Sequence, residues 1–262
     1  MRFKFKYESV ENIMILLNDE LKIEEKINID SGLYFGRGLF ETMLVKNNPI
    51  FLEAHLNRIN SGLKVIGVNK EVTEEEVLEA VKKLNCRDCV LKLVVTEKNI
   101  IYLTRKNNYT EEQYKEGFSV KISCVKRNPY SKITYLKSLN YLENVLEHEK
   151  CIEEGYDEVL FFNINNELSE GSVSNVFFIK SKKIYTPSIN CGLLNGTVRK
   201  FIIKNYDVIE GKFNKDDLIH ADEIFLTNSI IGIMKVSNIF GKDMSSNDYV
   251  EDIRKNYEKC IR

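Results

Sequence analysis

The sequence predicts an α+β protein of two domains. Its 262 residues are long for one hydrophobic core, because domains of about 100 to 150 residues are the most common. The first half alternates strand patterns with amphipathic helices, and the second half is rich in short strands joined by turns. Pro129 and its polar neighbours interrupt the pattern between them. We therefore predict an N-terminal α+β domain at residues 1–125 and a β-rich C-terminal domain at residues 126–262.

In the N-terminal domain, a glycine-rich segment around Arg37 leads into a predicted strand, Leu39–Lys46, and a return strand, Pro49–Leu52. A helix over residues 54–67 follows, and its apolar positions recur at helical spacing. They are Leu56, Ile59, Leu63 and Ile66. Arg58 lies beside this stripe, where its side chain can reach an anion.

A second helix begins with a capping box of Thr73 and Glu76 and runs to about Leu84. Strands are predicted over residues 89–97, 99–106 and 118–125.

Near the start of the C-terminal domain, Lys137 lies between a β-branched segment at 133–136, predicted to be extended, and a predicted helix at 139–154. The predicted buried face of that helix is Leu139, Leu142, Leu146 and Ile152. A β-meander follows, then a helix after Gly196 and a short helix capped by Asn214. The last helix carries an apolar stripe of Val250, Ile253, Tyr257 and Ile261.

The composition excludes several classes of function. Lys and Arg number 38 against 39 Asp and Glu, and neither sign forms a long block, so nothing favours binding to nucleic acid or to a membrane surface. No apolar run approaches the roughly 18 residues that span a bilayer, and no signal peptide is evident. Six scattered cysteines predict a reduced, cytoplasmic chain, and the CxxC of Cys86 and Cys89 lacks partners for a metal site.

Four features carry chemistry when they are taken together. Lys137 offers an amine, and Glu170 is a carboxylate in a strand that is otherwise apolar. Helix amides after Gly196 and the hydroxyls of Thr227 and Ser229 could bind a phosphate. Separately, each has an ordinary structural explanation, such as a solvated lysine or a polar turn. Together with Arg58, they are what pyridoxal phosphate requires of a protein.

The order of motifs resembles the class IV, or fold-type IV, pyridoxal-phosphate enzymes. The motifs are FGRGLFET, HLNRI, LKSLNYLENV, LSEGSVSNVFFIK, GLLNGTVRKFI and EIFLTNSIIGI. The resemblance extends from about Asp30 to about Ile239. It implies an α/β sandwich-like N-terminal domain, a C-terminal pseudo-barrel, a homodimer, and a small-molecule amino substrate.

The resemblance also implies roles for particular residues. Lys137 matches the lysine that forms the Schiff base, Glu170 the partner of the pyridine nitrogen, and Arg58 a phosphate ligand. The other matching cofactor-binding positions are Tyr141 for the ring hydroxyl, and Thr197, Val198 and Ser229 for the phosphate.

Within the family, the motifs Phe40-Glu41-Thr42 and 227–232 resemble the aminodeoxychorismate lyases. That branch implies release of pyruvate and formation of 4-aminobenzoate, with Thr42 helping in proton delivery. The alternative is a class IV aminotransferase for branched-chain or D-amino acids. Arg37 and the segment Thr96-Glu97-Lys98 depart from the lyase pattern on the substrate side, which leaves the substrate open.

Overall fold

The computed structural model divides the chain into two compact units, Met1–Asn107 and Asn108–Arg262. The residues that the structure describes are 15–18, 20–22, 27–244 and 248–261. The predicted α+β class is confirmed by the mixture of helices and two separate sheets. The predicted domain boundary at 125/126 falls inside the strand Phe118–Arg127, which pairs with strands of the second unit.

The first unit contains an antiparallel sheet with the strand order β2-β1-β5-β4-β3. Its strands are β1 Ile15–Leu17, β2 Glu20–Lys22, β3 Gly38–Val45, β4 Cys89–Thr96 and β5 Ile100–Arg105. Its helices are α1 Ser31–Phe35, α2 Leu52–Val65 and α3 Glu74–Lys83. Alternate residues of β3 and β4 are fully buried on one face, which makes this face part of the core of the unit.

The predicted helices of the first unit are confirmed, but the return strand after β3 is wrong. Pro49 forms only an isolated bridge to Val45. Phe51 then adopts a left-handed backbone conformation, with φ 56°, and α2 begins at the next residue. This sharp turn brings the chain from sheet to helix within two residues of the bridge, so no length remains for a strand.

The predicted helical stripe and capping box are confirmed in this unit. Leu56, Ile59 and Leu63 are buried on α2, whereas the fourth predicted position, Ile66, follows the helix and is only half-buried. The Thr73 hydroxyl accepts the backbone N–H of Glu76 and so caps α3, and the Glu76 carboxylate accepts the backbone N–H of Thr73.

The oxidation state of Cys86 and Cys89 differs from the predicted fully reduced chain. They are joined by a disulfide bond across the turn between α3 and β4, with their Cα atoms 5.9 Å apart. The turn brings the two side chains together because Asp88 takes a left-handed conformation.

The second unit contains a nine-stranded mixed sheet with the path β11-β10-β9-β12-β13-β6-β7-β8, and β14 pairs with β13. Its strands are β6 Phe118–Arg127, β7 Glu158–Asn163, β8 Leu168–Gly171, β9 Asn175–Lys180, β10 Lys183–Pro187, β11 Val208–Gly211, β12 Glu223–Asn228, β13 Gly232–Ile239 and β14 Lys242–Asp243. Its helices are α4 Glu111–Glu116, α5 Leu142–Glu153, α6 Thr197–Asn205, α7 Lys215–Ile219 and α8 Asp248–Cys260.

The sheet of the second unit curls until its two ends meet. The N–H of Leu168, at the start of β8, donates to the carbonyl of Phe213, just after β11, at 2.6 Å. These strands stand at opposite ends of the sheet path. The contact therefore produces the predicted pseudo-barrel.

Two local predictions around Lys137 are wrong. Residues Lys132–Tyr135 form a 3-10 turn instead of an extended segment, and α5 begins only at Leu142. The side chains on the predicted buried face of α5 are largely exposed: Leu142 63%, Leu146 51% and Ile152 51%. Asn144 and Cys151 are buried instead. Asn144 donates to the carbonyl of Ser172 at 2.7 Å, and this polar contact sets the rotation of the helix.

The remaining predicted helices are confirmed. α6 follows Gly196, and Asn214 caps α7 with a complete capping box. The stripe on α8 is buried, with Val250 and Ile253 each 1% exposed. Among the described residues, no helix is long and apolar enough to cross a bilayer.

Candidate active site

Lys137 lies on the irregular segment between the 3-10 turn and α5, four residues before Tyr141. Its Nζ is 5.3 Å from the centroid of the Tyr141 ring. The Tyr141 hydroxyl donates to the carbonyl of Ser172 at 2.8 Å. Burial, together with the charges of Glu170 and Glu158, raises the pKa of Tyr141, so the hydroxyl remains a donor at neutral pH. The structure thus gathers an amine and a protonated phenol at the start of α5.

Glu170 is the buried carboxyl group of this cluster. It lies on β8, and its Oε2 accepts the N–H of Leu194 at 2.9 Å. Nε of Arg127 lies 3.7 Å from Oε1. Burial raises the pKa of Glu170 to about 7, although Arg127, the Leu194 amide and Lys137 oppose the shift. The carboxyl group is consequently poised to gain or lose a proton near neutral pH.

A second buried carboxylate, Glu158, supports the turn that follows β8. Its oxygens accept the N–H of Ser172 at 3.1 Å, the Ser174 hydroxyl at 2.7 Å and the N–H of Val173 at 3.2 Å. Burial alone would raise the pKa of Glu158, but His148, whose Nδ1 is 3.6 Å away, and the hydroxyls of Ser172 and Ser174 lower it. An ionised Glu158 therefore holds the Ser172–Ser174 turn, to which Tyr141 also donates.

The N-terminus of α6 has the geometry of an anion site. Its N-cap is Gly196, which has no side chain with which to cap the helix. Thr197 and Val198, the first two helical residues, are buried. A Cβ on residue 196 would overlap Oδ1 of Asn175, so a glycine is needed there. Backbone amides can therefore be approached closely at this end of the helix.

The turn after β12 carries Ser229. Asn228 shapes this turn, because its Oδ1 accepts the N–H groups of Ile230 and Ile231 at 2.8 and 2.9 Å. Its Nδ2 donates to the carbonyl of Val173 at 3.1 Å, which ties this turn to the Ser172–Ser174 turn. Thr227 Oγ1 is buried and has no hydrogen-bond partner in the described ranges. A buried hydroxyl of this kind is suited to a ligand oxygen.

Arg58 and Thr42 belong to the first unit. Arg58 donates from Nε and Nη2 to the two oxygens of Glu41, at 2.7 and 2.6 Å. Nδ1 of His55 lies 2.6 Å from the same carboxylate. Burial would raise the pKa of Glu41, but Arg58 and His55 hold it well below its usual value. Thr42 is half-buried on β3, opposite Lys92 of β4.

Arg37 and Thr96 have structural partners within the first unit. Arg37 donates to the carbonyls of Ile66 and Gly67, at 2.8 and 3.1 Å, and so caps the C-terminal end of α2. The Thr96 hydroxyl donates to Asp30 at 2.6 Å. These contacts within the first unit account for the positions of both side chains, so no substrate contact is needed to explain them.

Sequence reasoning missed four residues that organise the cluster, namely Arg127, Glu158, Asn175 and Asn228. All four are polar and stand at strand ends, and the strands of Glu158, Asn175 and Asn228 are largely buried. Such positions are unusual for polar side chains. That pattern alone could have marked them as candidates, whereas their partners could not be inferred from it.

Comparison with known proteins identifies the family. The model of the family described as amino-transferase class IV matches residues 38–239. This chain therefore belongs to the amino-transferase class IV family.

Individual relatives within the family differ in reaction. The chain is 30% identical to an aminodeoxychorismate lyase from Bacillus subtilis over 237 residues, 80% of each chain. It is 28% identical to a D-alanine aminotransferase from Bacillus licheniformis over 248 residues, covering 83% of this chain and 84% of that one.

A solved structure has the same fold. It is a hypothetical aminotransferase from Mycobacterium tuberculosis in a PLP-bound form, with a TM-score of 0.81 and 19% identity, covering 95% of this chain and 99% of that one. This likeness confirms the predicted fold.

Proposed function

We propose that this chain is a pyridoxal-phosphate-dependent lyase that converts 4-amino-4-deoxychorismate to pyruvate and 4-aminobenzoate. The observation that carries the proposal is the cluster of Lys137, Tyr141 and Glu170, together with the glycine N-cap of α6. Support for the lyase comes from the relative in Bacillus subtilis and from the motif that contains Thr42.

The residues of the second unit fit the cofactor. The α6 amides of Thr197 and Val198, with Ser229, would bind its phosphate, and Thr227 Oγ1, on the strand that leads to Ser229, has unused hydrogen-bonding capacity. Tyr141 would accept a hydrogen bond from its ring hydroxyl, because the one hydroxyl proton of Tyr141 is donated to the carbonyl of Ser172. Glu170 would pair with its pyridine nitrogen, because an ionised, buried carboxylate favours a cationic partner.

Arg58 is proposed as a further phosphate ligand. Its two hydrogen bonds to Glu41 would hold the guanidinium in one orientation.

Bound pyridoxal phosphate supplies an electron-withdrawing ring that stabilises negative charge at the substrate carbon. Lys137 would hold the cofactor covalently and then move a proton at that carbon. Glu170 would keep the pyridine nitrogen protonated. Thr42 is proposed to deliver a proton to the leaving group.

A class IV aminotransferase is the second candidate. The similarity to the D-alanine aminotransferase from Bacillus licheniformis favours it, since its identity is only slightly lower and extends over a similar share of the chain. The same lysine would then move the proton between two carbons. We also infer a cytoplasmic homodimer. The family resemblance supports the dimer, and the scattered free cysteines outside the Cys86–Cys89 pair support the cytoplasmic location; light scattering after size-exclusion chromatography would test the dimer.

One pair of assays separates the two activities. Purified protein loaded with pyridoxal phosphate is given 4-amino-4-deoxychorismate, and in parallel D-alanine or a branched-chain L-amino acid with 2-oxoglutarate. We expect pyruvate and 4-aminobenzoate in equal amounts from the first mixture. Amino transfer in the second mixture without these products would exclude the lyase.

The cofactor assignment is tested with Lys137→Ala. The wild-type protein should form a borohydride-reducible link to the cofactor, and the variant should lose it. Lys132→Ala, an exposed lysine on the preceding turn, is the matched control and should keep the link. A reducible link that persists in Lys137→Ala would show that another lysine holds the cofactor.

A further inference from the structure

Arg127 brings a buried positive charge to Glu170. It is the last residue of β6 and only 7% exposed. Its Cζ lies 3.9 Å from the centroid of the Phe161 ring, and its Nη1 donates to Oε2 of Glu143 at 2.9 Å. Its Nε faces Oε1 of Glu170 at 3.7 Å. The guanidinium is therefore stacked on one side and lies between two carboxylates.

This arrangement is costly for an arginine that serves only to fill space. Nε and Nη2 of Arg127 are buried and have no hydrogen-bond partner among the described residues. Each unsatisfied buried donor destabilises the folded state, and an apolar side chain would pack on Phe161 without that cost. The position therefore makes physical sense only if the charge itself is used.

The two carboxylate partners of Arg127 differ in solvent exposure. The side chain of Glu143 is 55% exposed, so water screens its attraction to the guanidinium. The side chain of Glu170 is 10% exposed, and charges interact more strongly where water is excluded. Although the contact with Glu170 is longer, the effect of Arg127 on it is expected to be the greater one.

The charged and polar groups that act on Glu170 come from several elements. Arg127 of β6 and Lys137 before α5 favour its ionised form, as does the N–H of Leu194. Glu158 of β7 opposes it. In the proposed function, Lys137 is committed to the cofactor. Of these groups, Arg127 is then the side chain that keeps a positive charge beside Glu170.

We propose that Arg127 is a positioning residue that favours the ionised form of the Glu170 carboxylate, so that it can pair with the pyridine nitrogen of the cofactor. The pairing of Glu170 with the cofactor rests on the proposed function. The effect of Arg127 on the ionisation of Glu170 concerns only residues of this chain and can be measured without any reaction.

The test follows the Glu170 carboxyl carbon by ¹³C NMR in full-length protein with labelled glutamate, and Glu170→Gln identifies the signal. Arg127→Met keeps an apolar chain on Phe161 and removes the charge. We expect it to raise the titration midpoint of Glu170 by about one pH unit or more, since a neighbouring opposite charge shifts such groups by about one to three. Arg127→Lys should recover part of this change.

Glu143→Gln is the matched control, because it removes the other ion-pair partner of Arg127 and keeps the guanidinium. It should leave the Glu170 midpoint unchanged or lower it. In the same set of proteins, equilibrium dialysis measures the dissociation constant of pyridoxal phosphate. We expect about a tenfold increase for Arg127→Met, equivalent to about 1.4 kcal/mol, and a smaller increase for Arg127→Lys.

The outcomes are distinguishable. If the wild-type protein does not bind pyridoxal phosphate, the proposed function fails, and the cofactor part of this inference fails with it. If the wild-type protein binds the cofactor but Arg127→Met titrates and binds as the wild type does, the inference about Arg127 is overturned and the proposed function stands. A raised midpoint with weaker binding, partly restored in Arg127→Lys, supports it.

Discussion

Glu170→Gln is expected to stabilise the cofactor-free protein at neutral and higher pH. The pKa of this carboxyl group rises from 4.5 to about 7 on folding, chiefly because of burial. Each pKa unit corresponds to about 1.4 kcal/mol, so the ionised group disfavours the folded state by about 3 kcal/mol. The amide variant carries no charge and keeps an oxygen that can accept the N–H of Leu194.

The direction of the pH dependence follows from the raised pKa. Below pH 4.5 the group is protonated in both states and contributes nothing. Between 4.5 and about 7, only the unfolded state loses the proton, so the stability of the wild-type protein falls as pH rises through this window. Above about 7 the full loss is present.

Urea unfolding followed by circular dichroism, at pH 4.5 to 8, would measure this effect. The difference in unfolding free energy between Glu170→Gln and wild type should grow by about 3 kcal/mol across the window. Glu143→Gln, at a largely exposed position, should show no comparable growth. A constant difference between Glu170→Gln and wild type at every pH would refute the assignment of a raised pKa.

Two further changes test the supports of the site. Glu41→Gln should destabilise the first unit by about 3–5 kcal/mol at neutral pH, because Arg58 and His55 lose a buried partner. Since the pKa of Glu41 is lowered, the gap to wild type should shrink as pH falls below 4.5, and a gap independent of pH in urea unfolding would contradict this. In Gly196→Ala, the new Cβ should overlap Asn175, lower the free energy of unfolding by about 1–3 kcal/mol and weaken cofactor binding in equilibrium dialysis. Unchanged binding would argue against a phosphate site at the N-terminus of α6.

Much of the fold could be predicted because its signals are local. The capping box of Thr73, the cap at Asn214 and the stripe on α8 each lie within a few residues of sequence, and all three are confirmed. The prediction for α5 was wrong for the opposite reason. Its apolar residues suggested a buried face, but Asn144 sets the rotation of the helix through a hydrogen bond to Ser172, 28 residues away.

For the candidate site, the motifs could be predicted from the sequence, but the contacts between them could not. The motifs around Lys137, Glu170 and Gly196 were visible in the sequence, and family membership supports reading them as a set. Their assigned roles remain predictions. The sequence motif around Arg37 suggested a place on the substrate side. In the fold, Arg37 instead donates to two carbonyls at the end of α2, and a sequence motif cannot show such contacts.

The family, the order of most elements and the lysine on which the proposed chemistry depends follow from the sequence, because short motifs specify residue types in a fixed order. Which charges meet depends on the fold. Arg127 and Glu170 are 43 positions apart, and their interaction exists because β6, β7 and β8 are neighbours in one sheet. Burial then gives Glu170 its raised pKa, since a carboxylate loses its hydration only when the folded chain surrounds it.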